Sequence, residues 1–183
     1  LLIKIGNELG LSLKDLTVES NKRMLSDVMD VLSNEMFEDL DITNLETLNK
    51  AVDNIMSTLK TNEQHIRELH EYTQILPEKY YEPGSHSLNR QVAFALKHTD
   101  ERLFLSWVML RSKASDFDYN SIPSLYNEWV KMKNKKNGIT KRSIMYWAKQ
   151  DAFDEYEKVK HSTIDHFMEE TLFSRTEFDK AQV

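Results

Sequence analysis

Between Val130 and Gln150 the sequence carries seven basic side chains and no acidic one: Lys131, Lys133, Lys135, Lys136, Lys141, Arg142 and Lys149. Cations at this density suit a polyanion, and a nucleic-acid backbone is the polyanion they fit best. The competing reading is a solvated helix end and loop. Lys131 to Lys136 lead into Asn137-Gly138, and Lys141 and Arg142 follow at once. Lys149 stands seven residues beyond Arg142, on the same face of a helix. Backbone N–H groups at the start of that helix would add to the attraction for phosphate. Tyr146 and Trp147 lie in the same stretch and could stack on bases. Aromatics beside helical apolar positions are more often core, so the expectation rests on the seven cations and not on the aromatics.

Other chemistry-bearing patterns are weaker. Asp39-Leu40-Asp41 has the form of a paired-carboxylate site for two divalent metals, but no β-rich run precedes it and it sits in an acidic loop between helical stripes. His65 and His70 are five apart, as are His161 and His166. That spacing turns two helical side chains away from each other, unlike the four-residue spacing of zinc-protease helices, so all four read as surface histidines. There is no GxxxxGK[ST] loop, no GxSxG elbow and no Gly-rich dinucleotide turn. Cys is absent, which removes disulfides, thiolate zinc sites and thiol catalysis. The expectation is a chain with no catalytic residue, no metal site and no cofactor of its own.

The elements that must position the cations read as helices. Gly and Pro number four and three in 183 residues, and apolar positions recur at helical spacing almost throughout. Leu25, Val28 and Leu32 mark a helix near Asn21–Phe37, and Leu45, Leu48, Val52, Ile55, Met56 and Leu59 form one stripe of another. Thr43 with Glu46, and Thr61 with Gln64, have capping-box spacing. Further helices are predicted near Leu88–His98, Asp100–Ser112, Pro123–Lys135 and Lys141–His161, with Asn137-Gly138 as turn or C-cap and Thr140 as N-cap. One or two more follow Ser162, and the short apolar opening Leu1–Ile5 could be a strand. Trp107, Trp129 and Trp147 fall one to each of three successive helices and could form a common core.

The net charge of −6 conceals an asymmetry: residues 1–14 carry +1, 15–75 carry −8, 76–150 carry +6 and 151–183 carry −5. The stretch LPEKYYEPGSHS, residues 76–87, holds two of the three prolines and marks the change from acidic to basic. The fold expected is all-α: an acidic helical segment over 1–75, a compact multi-helix domain over 76–160 and a helical linker over 161–183. No run approaches the roughly 20 apolar residues of a membrane span, and no signal-peptide pattern opens the chain. A reducing compartment suits the absence of Cys. Leu1 in place of an initiator Met suggests an excised piece of a longer polypeptide.

The order of landmarks resembles a known family. LPEKYY is followed by Ala95-Leu96-Lys97, then by LFLSWVMLRSKASDFDY and EWVKMKNKKNGITKRSIMYWAKQDA. This is similar to the helical accessory domain that follows the catalytic core in archaeo-eukaryotic-type primases, in the form found in primase-helicases of large nucleocytoplasmic DNA viruses. The match covers about 80 residues, from Ile75 to Ala152. It departs from the family in lacking a Trp in the Ala-Leu helix and in placing Leu110-Arg111 where a Trp precedes Ser112.

The resemblance implies a non-catalytic connector in a viral DNA primase-helicase. It would contact template or primer-template DNA and adjoin primase and helicase domains of the same chain, with assembly into a hexamer through the helicase. The parent would use Mg and NTP, and would work in the host-cell cytoplasm or at a viral replication site, off the membrane. Two alternatives follow from the residues: a helical protein–protein assembly module without DNA contact, and a helix-turn-helix DNA binder.

Overall fold

The computed structural model describes residues 41–133 and 138–181, those beyond Leu172 as backbone alone. The expectations placed on Leu1–Ile5, Asn21–Phe37 and Asp39 lie outside the described residues, as do Lys135, Lys136 and Asn137. Among the described residues there are seven α-helices and no strand, which makes this part all-α.

Helix α1 spans Leu45–Ser57 and buries Leu48, Ala51, Val52 and Met56, while Leu45 at the head of the predicted stripe stays exposed. Its start is set by Asn44, not by Thr43 with Glu46. Asn44 Oδ1 accepts from the Thr47 N–H at 3.0 Å, and Thr47 Oγ1 accepts from the Asn44 N–H at 3.1 Å. Asn is a stronger N-cap than Thr, and Thr47 completes the box that Glu46 cannot reach. Helix α2, Gln64–Gln74, follows a 3-10 turn over Thr61–Glu63 in which Glu63 Oε2 accepts from the Lys60 N–H. Thr61 therefore begins that turn and does not cap α2.

Pro77 opens a second 3-10 turn, Glu78–Tyr80, and Gly84 at φ +95° makes the reversal into α3, His86–Thr99. A turn over Glu101–Leu103 is opened by Asp100, whose Oδ1 accepts from the Arg102 N–H. It leads into α4, Phe104–Arg111. After a turn at Tyr119–Ser121 comes α5, Ile122–Lys131, with Pro123 in its first turn as the sequence suggests. Helices α6, Lys141–Asp151, and α7, Phe153–Ala181, complete the order.

Helix α4 is the centre. Phe104, Leu105, Ser106, Trp107, Val108 and Leu110 are all buried, the mark of a helix packed on every side. It packs against α1, α2, α3 and α5. Helix α6 lies against α2, α3 and α7 through the fully buried Ile144 and Ala148. Helices on both sides of residues 76–87 thus share one core, in a unit that begins at Ile42. The Pro- and Gly-bearing stretch is a turn within that core, not a gap in packing, and the boundary read from composition at 75/76 runs through it.

Two of the three tryptophans form the aromatic centre. Trp107 and Trp129 stack at 6.0 Å, with Phe104 edge-on to both. Trp147 does not join them. It is half-buried against the Tyr80 ring at 5.9 Å. Each buried indole finds an acceptor: Trp107 Nε1 donates to Asn89 Oδ1 at 2.9 Å and Trp129 Nε1 to Glu101 Oε2 at 2.7 Å.

Two predicted helices differ in extent. The one predicted to reach Lys135 stops at Lys131, where Met132 turns to ψ 106° and buries its side chain. The one predicted over Lys141–His161 is broken at Ala152, with φ −145° and ψ 56°. The second part then runs unbroken past Ser162 to Ala181, one helix continuous with the region of the expected helical linker, with no break at Ser162. No Gly or Pro occurs after Gly138, so the chain itself offers nothing to stop that helix.

Candidate nucleic-acid interface

Helix α5 delivers the chain to the basic segment, and its end is fixed from α3. Lys97 Nζ donates to the carbonyl oxygens of Trp129 at 2.6 Å and Val130 at 3.0 Å. These are orphan acceptors of the last turn, and a cation there also complements the helix dipole. Lys131, the final residue of α5, and Lys133 beyond it are exposed. Gly138 at φ +69° takes the left-handed conformation that a side chain resists. It lies in the connection, well past the end of α5, so it is a turn residue and not that helix's C-cap.

Thr140 caps α6 as its sequence position suggests. Thr140 Oγ1 accepts from the Arg142 N–H at 3.3 Å, and Ser143 Oγ accepts from the Thr140 N–H at 3.1 Å. The Ser143 N–H is also taken, by the Thr140 carbonyl at 2.8 Å. The helix-start amides expected to reach phosphate are thus largely occupied, and attraction at this end rests on side chains. Lys141 and Arg142 sit in the first turn, where the helix dipole disfavours cations. Their placement does nothing for the stability of the helix itself.

The two first-turn cations differ in surroundings. Lys141 and Arg142 border a shallow cleft against α2 with His65, Glu68, Leu69 and Tyr72. Burial pushes the Glu68 carboxyl above its ordinary range, and the charge of Lys141 opposes that rise. Lys141 is therefore partly engaged with Glu68. Arg142 and Lys149 are exposed, and among the described residues neither has an ion pair. Asp151, close to Lys149 in sequence, is already committed. Its Oδ2 lies 2.8 Å from Lys79 Nζ and accepts from the Tyr80 hydroxyl at 2.5 Å, which together hold its carboxyl below the usual range.

Tyr146, which the sequence places among the more usual core aromatics, is on the surface. It stands on the same face as Arg142 and Lys149 and is 62% exposed, so it belongs to the cationic surface and not to the core. The usable signal was position: four residues from Arg142 and three from Lys149, on the side of α6 away from Ile144 and Ala148. Five of the seven predicted cations, Lys131, Lys133, Lys141, Arg142 and Lys149, are thus placed on the surface of α5, its exit and α6. Lys135 and Lys136 lie outside the described residues.

The histidines divide. His161 and His166 are on the surface of α7, each beside a glutamate. His65 is exposed, but His70 is only partly exposed. Its Nδ1 is hydrogen-bonded to Ser106 Oγ at 2.8 Å between α2 and α4, and burial lowers its pKa to about 4. Ser106 is itself buried. Among the described residues no group of three or more His, Cys, Asp or Glu is placed to hold a metal. Nor is any helix there long and apolar enough to cross a membrane.

Comparison with known proteins finds similarity in sequence to part of one viral protein. Over 126 residues, 67% of its length, the chain is 29% identical to the protein named "Putative primase" in a warthog isolate of African swine fever virus from Namibia. The counterpart in a pig isolate from Kenya is 30% identical over 128 residues, 68% of the chain. The chain spans about 13% of the length of these relatives. Two thirds of the chain is therefore similar to one region of a viral primase-related protein. No family model matches the chain, and no solved structure matches it significantly.

Proposed function

We propose that this helical unit is a non-catalytic accessory region of a viral DNA primase-helicase, acting in viral DNA replication. It positions the catalytic domains and contacts template or primer-template DNA through the cations of α5, its exit and α6. The observation that carries this reading is the exposed pair Arg142 and Lys149, without an ion pair among the described residues and seven residues apart on a helix whose opposite face is locked into the core. The viral primase similarity supports the parent, and the clustered cations support the contact. Mg and NTP belong to the catalytic domains of that parent. Fluorescence anisotropy on a labelled primer-template tests the contact. Replacing Lys133, Lys135, Lys136 and Arg142 together by Glu is expected to weaken binding at least tenfold, and unchanged affinity would reject it.

A second reading, an assembly module, is favoured by one observation. Ile164, Phe167, Met168 and Leu172 recur at i, i+3, i+4 and i+8 on α7 and are all 45% exposed or more. Light scattering separates the two. A defined oligomer with no affinity for DNA supports the assembly module, and DNA binding by a monomer supports the accessory role.

A further inference from the structure

We infer that Tyr146 is a base-stacking residue and that the Arg142–Tyr146–Lys149 strip selects single-stranded over duplex nucleic acid. This rests on the reading above, in which the cations of α6 contact DNA, and names the form of DNA that they take.

The three residues lie at i, i+4 and i+7 on α6. At 1.5 Å per residue they occupy about 10 Å of helix axis, with the ring between the two cations. The long side chains of Arg142 and Lys149 can converge from that span onto the phosphates on either side of one nucleotide. Tyr146 is 62% exposed and, among the described residues, makes no ring contact and no side-chain hydrogen bond. Its neighbour Trp147 is turned inward onto Tyr80, so Tyr146 is the aromatic that α6 offers outward. The helix beneath is rigidly seated, because Ile144 and Ala148 are fully buried and Asp151 is tied to Lys79 and Tyr80.

An exposed tyrosine on an ordinary surface is commonplace. This one stands in a stretch of sequence without a single acidic side chain from Val130 to Gln150; the next acid along the chain, Asp151, has its charge held by Lys79, and Glu68 across the cleft on α2 is opposed by Lys141. The surroundings repel an acid-poor, cationic partner and attract a polyanion. A duplex keeps its internal base faces covered by stacking and offers this strip chiefly phosphates. A single strand offers phosphates and a free π-face together, the pairing on which sequence-tolerant single-strand binders rely. Selectivity then comes from the ring, while the cations supply affinity common to both forms.

The test uses the 183-residue chain and three fluorescein-labelled probes: a thymidine 12-mer, an abasic 12-mer with the same phosphates, and a 12-base-pair duplex. The wild type is expected to bind the thymidine strand about tenfold more tightly than the abasic strand. Tyr146→Ala should lose that advantage without changing the abasic or duplex affinity, and Tyr146→Phe should keep it. Equal wild-type affinity for thymidine and abasic strands, or no effect of Tyr146→Ala, overturns the inference. A second variant, Arg142→Glu with Lys149→Glu, separates the two levels. If it weakens all three probes while Tyr146→Ala weakens none, the phosphate contact stands and stacking falls. If it leaves every probe unchanged, the underlying DNA contact falls as well.

Discussion

Tyr80 donates its hydroxyl hydrogen to Asp151 Oδ2 at 2.5 Å, joining two residues 71 positions apart in the chain. The bond links the turn after Pro77 to the last residue of α6, and the Tyr80 ring lies against Trp147 on the same helix. It explains physically why LPEKYY and the segment ending in WAKQDA belong to one unit. Hydrogen bonds to charged groups contribute about 1.5–3 kcal/mol. Tyr80→Phe is therefore expected to cost roughly 1–2 kcal/mol in urea unfolding, because Lys79 still holds the carboxylate. Asp151→Asn in the same background should cost less than it does alone, the coupling of a double-mutant cycle.

Asn89 is a buried junction with both ends of its amide in use. Its Nδ2 donates to the Tyr80 carbonyl at 2.8 Å, and its Oδ1 accepts from Trp107 Nε1 at 2.9 Å and Arg111 Nη1 at 3.1 Å. Asn89→Leu removes the amide and leaves these partners buried without it. The expected loss is about 3 kcal/mol, read as a lower urea midpoint by tryptophan fluorescence.

His70 gives a pH dependence with a defined sign. Its folded pKa of about 4 lies below the ordinary 6.5, because burial disfavours the charged ring. The unfolded chain therefore binds the proton first as pH falls. Stability is full above pH 6.5, declines from there to about pH 4, and levels off below. The decline amounts to about 3 kcal/mol at 1.36 kcal/mol per pKa unit. Glu63, held down to about 2 by Arg102, acts in a lower window: its contribution is present above pH 4.5 and is lost as pH falls through 2. Unfolding free energies between pH 7 and 5 should fall in the wild type and stay nearly flat in His70→Gln.

Thr140 connects local structure to the cationic surface. Thr140→Ala removes the side-chain acceptor for the Arg142 N–H and should cost about 1 kcal/mol. Amide hydrogen exchange is expected to quicken in the first turn of α6 and to stay unchanged toward Lys149.

What the sequence revealed and concealed follows from how far each signal reaches. The start of α6 was legible because Thr140 and Ser143 act over three residues. The start of α1 lies one residue beyond the Thr43–Glu46 box because Asn44 with Thr47 competes with it at equal spacing, and Asn is the stronger cap. The partner of His70 is Ser106, 36 residues away, and the partners of Asp151 beside the break at Ala152 are Lys79 and Tyr80, so no local pattern announces these contacts. The cations were legible as a run of charge. Tyr146 was discounted because a helical aromatic beside buried positions resembles core, yet Ile144 and Ala148 bury the other face of the helix.

The salt dependence of DNA affinity tests the central claim most directly. Each phosphate neutralised contributes about 0.7–0.9 to the slope of log K against log salt. Replacing Lys133, Lys135, Lys136 and Arg142 by Glu should therefore make that slope shallower by about 3, alongside weaker binding. A variant that keeps both the slope and the affinity of the wild type would contradict the account.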